Sequence, residues 1–172
     1  LTMLVWVNSH GSYPLGLVLL GFALLESLWQ SRRAGTLHGK AIRALALVLL
    51  ASGLACLANP QGIRGLLYPN ALLSDGAVRS LATEWAPTSL ASLSGKLCFV
   101  ALTLMIALLI VSPRRPSLVG ALKLLSFAGL ALASQRHILW FGVVAAVEAA
   151  PLLGALIERH KASHAQTAPR EH

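Results

Sequence analysis

The chain has 172 residues, is 56% hydrophobic and only 12% charged, and carries a formal net charge of +8. A soluble domain of this size carries about 25% charged residues, and here the apolar excess is Leu and Ala in long blocks, which argues against an ordinary soluble enzyme domain and for a helical membrane protein. The positive charge forms no basic stripe interleaved with aromatics, so no nucleic-acid partner is expected. It sits in short clusters between apolar blocks, which is how membrane topology is written.

Within lipid every backbone polar group must be paired in its own segment or in a closed barrel. The Leu/Ala runs lack the period-2 alternation of a membrane barrel, so the expected fold is all-α, a polytopic transmembrane bundle. In chain order, Leu1 to Val7 is apolar but about a third of a span. It has neither the basic leader nor the small-residue cleavage site of a signal peptide. It reads as the tail of a helix begun upstream, which makes the chain the C-terminal part of a longer polytopic protein whose preceding helices are partners of this bundle.

Five full spans are expected, at about 13–29, 41–58, 97–112, 118–134 and 138–157. The first, from Tyr13 to Trp29, has Pro14 in its first turn, where a missing N–H costs nothing, and aromatics suited to both interfaces. A polar loop with Arg32, Arg33, His38 and Lys40 leads to the second, Ala41 to Ala58, with Arg43 able to snorkel. Asn59-Pro60 stops it, because the residue before a proline avoids helical geometry. A long polar stretch, 59–95, follows and divides the apolar runs into two groups. Within it Ile63 to Leu73 reads as an interfacial segment, and Ser74 or Asp75 as the cap of a short helix holding Val78, Leu81, Ala82 and Trp85. The third span, Leu97 to Ser112, ends at a Pro113-Arg114-Arg115-Pro116 turn. The fourth, Leu118 to Ser134, contains Lys123 and ends at a Gln135-Arg136-His137 turn. The fifth, Ile138 to Ile157, contains Glu148 and Pro151. The transmembrane domain then covers 1–158, and 159–172 is a polar tail with no apolar period, expected to be disordered at its end.

Counted on alternate sides, one side collects Arg32, Arg33, Lys40, Arg43, Arg114, Arg115, Arg159, Lys161 and Arg170, with Lys123 nearest it. The other collects Arg64, Arg79, Lys96 and Arg136. The positive-inside rule puts the first group and the C-terminus in the cytoplasm. The 59–95 stretch, the His10 segment and the Arg136 turn then face outward.

Glu84-Trp85 offers a carboxylate beside an indole, able to act as general acid or base, or to hold a divalent cation or a sugar hydroxyl; the plain alternative is an exposed loop acid beside an interfacial Trp. Arg136-His137 offers a planar fork for a lipid phosphate or pyrophosphate; its alternative is a structural pairing with Glu84 or Asp75, or simple headgroup contact. His10 lies in Asn8-Ser9-His10-Gly11, rich in hydrogen-bonding groups. Glu148, near the middle of the last span, is a functional group, the partner of Lys123 on the preceding antiparallel helix, or a neutral hydrogen-bonded acid beside the kink at Pro151. Cys56 and Cys98 make no metal motif or secreted disulfide framework. They fall near one predicted membrane face, and two free buried thiols are favoured over a bond. No phosphate-cradling Gly loop, HExxH or GxSxG is present, and no metal site is expected beyond a divalent cation at Glu84.

Four segments taken together, WVNSHGSYPLGLVLLG, LANPQGIRGLLYP, EWAP about fifteen residues on, and QRHILWF followed by AAPLLG, resemble the C-terminal part of a group of bacterial polytopic membrane proteins. The group carries an aromatic-x-Asn-x-His-Gly motif, an Asn-Pro-x-Gly motif, a Glu-Trp-x-Pro motif and an Arg-containing turn before an Ala-Pro helix, in that order. It is similar to GT-C-type glycosyltransferases, which use dolichyl- or polyprenyl-phosphate sugars. The resemblance runs to about Gly154. It implies a bacterial inner-membrane protein with an extracytoplasmic site for a polyprenyl-phosphate sugar among membrane lipids. His10 and Glu84 would be its catalytic candidates, and Asn59, Tyr68, Trp85, Arg136 and His137 would line or support it. Such enzymes place a catalytic acid in a first outer loop that this chain does not include. From another class, the same features fit a non-enzymatic multipass protein, a transporter segment or envelope-assembly scaffold, with Lys123 and Glu148 as its internal pair.

Overall fold

Leu and Ala are among the strongest helix formers, and the long apolar blocks fold accordingly. The structure, a computed structural model, describes residues 1–35, 39–65 and 83–167, and among these every regular element is helical. The helices are α1 (Thr2–Ser9), α2 (Tyr13–Ala34), α3 (Gly39–Ala55), α4 (Leu93–Val111), α5 (Leu118–Ala133) and α6 (Ile138–Thr167), with 3₁₀ turns at Thr83–Trp85 and Gln135–His137. Contacts group the chain into two units, Leu1–Leu81 and Ala82–His172. The short helix expected after Ser74 or Asp75 lies, except for Trp85, outside the described residues, as do most of the 63–73 segment, Tyr68, His38 and Arg79.

Among the described residues three segments are long and apolar enough to cross a membrane: Tyr13–Ala34, Leu93–Val111 and Gln135–Ser163. The expectation of five spans is met in part. Helix α3 has 17 residues and α5 has 16. At 1.5 Å per residue these are about 25 Å long, short of a hydrocarbon core of about 30 Å. The apolar surface points outward throughout, with Leu104 64%, Leu125 70% and Leu139 73% exposed.

In the first unit α2 packs on α3, and α1 lies against both. Met3, Tyr13 and Cys56 form its core, with Trp6, Val7, Leu17 and Ala55 around them. Gly16 makes the α1–α2 approach possible, since a Cβ there would stand 2.6 Å from Cζ3 of Trp6. Tyr13, expected at an interface, is 4% exposed. Helix α2 ends at Gly35, whose φ of 63° is the left-handed geometry that favours glycine at a helix C-terminus. Helix α3 stops at Ala55, three residues before the predicted end, and the chain leaves it through turns.

In the second unit α4 and α5 each pack on α6, around Phe127, Phe141 and Leu152, which are nearly fully buried. Serines finish both ends of α4 and α5. Ser92 and Ser117 accept the N–H groups of Gly95 and Gly120 as N-caps. Ser112 closes α4 and donates its hydroxyl to the Leu152 carbonyl of α6 at 3.0 Å. Helix α6 does not stop near Ile157: the expected polar tail stays helical to Thr167. Its Glu, Arg, Lys and Ala residues are good helix formers, and the backbone ladder continues at little cost without an apolar face. Residues 168–172 lie outside the described residues.

Candidate functional site

The first unit gathers two of the sequence motifs at one end. Asn8, near the end of α1, donates through Nδ2 to the carbonyls of Leu4 at 2.8 Å and Ala58 at 3.0 Å. Asn59 donates to the carbonyls of Cys56 at 2.7 Å and Gly62 at 3.2 Å, and its Oδ1 accepts the N–H of Gln61 at 2.8 Å. Helix C-termini leave carbonyls without helical partners, and here two asparagine side chains satisfy those that follow α3. Gly65 is the residue that fits beneath, since a Cβ there would meet Asn59 Oδ1 at 2.7 Å. The Tyr13 hydroxyl donates to the Gly65 carbonyl at 2.8 Å and ties α2 to the same loop.

His10 belongs to a short relay. The backbone N–H of Ser12 reaches its Nδ1 at 3.1 Å, and the Ser12 hydroxyl stands 2.7 Å from the same atom. An N–H can only donate, so Nδ1 is the acceptor and the neutral ring carries its proton on Nε2. Trp6 Nε1 donates to the Ser12 hydroxyl at 3.3 Å, completing the order Trp6, Ser12, His10. A cavity of about 330 Å³ lies between the motifs, lined by Asn8, His10, Gly11, Tyr13, Asn59, Gln61 and their neighbours. Asn59 spends both amide hydrogens and its oxygen on the loop, so it holds the wall. Asn8 keeps its Oδ1 as an acceptor.

The second unit gathers the other candidates. The segment after the 3₁₀ turn Thr83–Trp85 crosses the end of α5. Thr88 donates its N–H to the Leu132 carbonyl and its hydroxyl to the Ala131 carbonyl. Gln135 N–H bonds the Ala86 carbonyl, and the Ser134 hydroxyl the Glu84 carbonyl at 3.0 Å. This lacing brings Glu84 and Arg136 together as a salt bridge, with Nη1 and Oε1 2.8 Å apart. The Arg136 guanidinium also lies 4.9 Å from the Trp85 ring centre, and Trp85 meets His137 edge-on at 6.4 Å. The structural pairing weighed for Arg136 is therefore present. Glu84 is 57% exposed, so the bridge is worth about 1 kcal/mol at most. The His137 Nδ1 is buried with no hydrogen-bond partner among the described residues.

Lys123 and Glu148 pair at 2.6 Å, with side chains 22% and 15% exposed. The pair is not at mid-span on α5. A Cβ on Gly120 would meet Glu148 Oε2 at 2.8 Å, so the carboxylate lies level with the first turn of α5. Unpaired N–H groups and the positive helix end favour an anion there. The sequence placed Glu148 by counting along its own helix, which says nothing of where the shorter neighbour begins.

Among the described residues no group of three or more His, Cys, Asp or Glu side chains assembles a metal site. Cys56 and Cys98 are both free and buried. Sequence reading missed Ser12, Gly65, Thr88 and Ser134, whose roles are set by partners up to 52 residues away. No family model, no curated protein and no solved structure matches this chain.

Proposed function

We propose that this chain is the membrane-embedded part of a lipid-linked-sugar glycosyltransferase of the GT-C type, binding a polyprenyl-phosphate sugar at the outer face of a bacterial inner membrane. The observation that carries the reading is the cavity of about 330 Å³ between Asn8, His10 and the Asn59 loop. It falls at the small end of the roughly 300–1,000 Å³ range of ligand sites, a size for one sugar ring. Asn8 Oδ1 accepts from a sugar hydroxyl and His10 Nε2–H donates to one. Asn59 positions the wall.

In the second unit Arg136 is stacked on Trp85 and paired with Glu84, and this cluster, with His137 beside it, is a separate candidate contact for a lipid phosphate. The positive-inside rule, applied to the Lys and Arg of the sequence, supports an outward-facing His10 segment, an outward-facing Arg136 turn and a cytoplasmic C-terminus. Helices α3 and α5 cross as well in this reading, their short lengths completed by the turn residues beyond them, giving five spans.

A second reading is a non-enzymatic multipass protein. It is favoured by the fact that both Glu84 and Glu148 already have a cationic partner, which suits a structural bundle. The experiment is equilibrium binding of a radiolabelled polyprenyl-phosphate sugar to membranes holding the full chain. His10→Ala is expected to weaken binding about tenfold, the loss of about 1.4 kcal/mol, with Arg32→Gln unchanged and all variants expressed alike. No binding by the parent chain sinks the glycosyltransferase reading and leaves the second.

A further inference from the structure

Helix α6 overhangs its neighbours. Ser112, which closes α4, bonds the carbonyl of Leu152, so α4 ends level with that residue. Helix α5 begins on the same side, its first turn level with Glu148. From Leu152 to Thr167 α6 continues for 15 more residues, about 22 Å at 1.5 Å per residue.

The overhang is layered. Nearest the bundle it carries Leu153, Leu156 and Ile157, with Leu153 and Ile157 well exposed. Next come Arg159, His160 and Lys161, all exposed. An open cavity of about 620 Å³ runs along this stretch, lined by Leu156, Ile157, Arg159, His160, Lys161 and Ser163. At the foot of the overhang the α4–α5 turn adds exposed Arg114 and Arg115. Arg115 is oriented by a hydrogen bond from its guanidinium to the Leu109 carbonyl at the end of α4. Glu158 is the single acid between Leu152 and Ser163, so the layer is strongly cationic.

An apolar tier beneath a cationic tier, on a helix leaving an apolar bundle, matches the order of groups in one half of a lipid bilayer. Acyl chain lies beside Leu156 and Ile157, and phosphate beside Arg159 and Lys161. A zwitterionic headgroup brings its own cation and gains little from this charge. An anionic headgroup gains from every member of it. We infer that the α6 overhang, with the Arg114-Arg115 turn, is a binding site for an anionic phospholipid.

The test uses the full chain in nanodiscs containing equal phosphatidylglycerol and phosphatidylcholine, with the lipids retained on release counted by native mass spectrometry. The expected result is a several-fold preference for phosphatidylglycerol, removed in Arg159→Gln/Lys161→Gln and kept in the charge-conserving Arg159→Lys/Lys161→Arg. Arg32→Gln/Arg33→Gln in the first unit leaves the preference intact. Equal retention of the two lipids by the unaltered chain overturns the proposal. So does a preference that survives Arg159→Gln/Lys161→Gln, or one lost equally in the Arg32/Arg33 variant, since either assigns it elsewhere.

Discussion

Glu148→Leu is expected to destabilise the folded chain by about 3–5 kcal/mol, because it leaves the Lys123 ammonium without its counter-ion in a largely apolar setting. The pair is short, at 2.6 Å, and both side chains are mostly covered. Adding Lys123→Met to the same chain is expected to return most of that loss, since well-packed apolar residues replace a buried ion pair at little net cost. Unfolding of the purified full chain in mixed micelles measures both. A single variant as stable as the parent would mean that Lys123 reaches water or a headgroup by snorkelling, and that the pair holds nothing together. The Glu148 carboxylate sits over Gly120 at the first turn of α5, where the helix end adds to the attraction of Lys123.

Gly95→Ala should be the most damaging single-methyl change in the second unit. A Cβ at this position would fall inside the carbonyl oxygen of Ser89. The obstacle is backbone, so no rotamer change relieves it, and the chain entering α4 must move. Overpacking typically costs about 1–3 kcal/mol and more where backbone is displaced. About 3 kcal/mol is expected here, offset only slightly by alanine's better helix propensity. Thermal unfolding of the full chain in detergent checks it. Gly129→Ala, where a Cβ meets nothing within 4 Å, is the matched control and should be neutral or mildly stabilising.

Helix was legible in the sequence because composition and block length decide it: long Leu/Ala runs have no other way to pair their backbone in lipid. The N-caps Ser92 and Ser117 follow a local rule, although the sequence reading did not single them out. Span count was less legible, because length criteria depend on where a helix ends, and α3 ends at Ala55 through hydrogen bonds supplied by Asn8 and Asn59. Extension of α6 to Thr167 was missed because an apolar period was required of a stretch whose helicity rests on propensity.

At the sites, the candidate residues were readable as types but not as partners. Asn59 was expected to line or support a ligand site, and its groups prove to be used on its own loop. Glu84 and Arg136 are 52 residues apart; only the bonds of Thr88, Ser134 and Gln135 across the end of α5 bring them together. Those bonds leave no periodicity to read. Gly65, Gly95 and Gly120 likewise look interchangeable with other glycines until the atoms above them are known.

The measurement that bears most directly on the proposed function compares two lipids on the same chain: a polyprenyl-phosphate sugar and the polyprenyl phosphate without its sugar. If the cavity between Asn8 and His10 holds a sugar ring through one or two hydrogen bonds of about 1 kcal/mol each, the sugar-bearing lipid binds about tenfold tighter. His10→Ala then removes that difference while leaving the binding of the bare lipid phosphate unchanged. Equal affinity for the two lipids in the unaltered chain would contradict a sugar-binding role for the cavity.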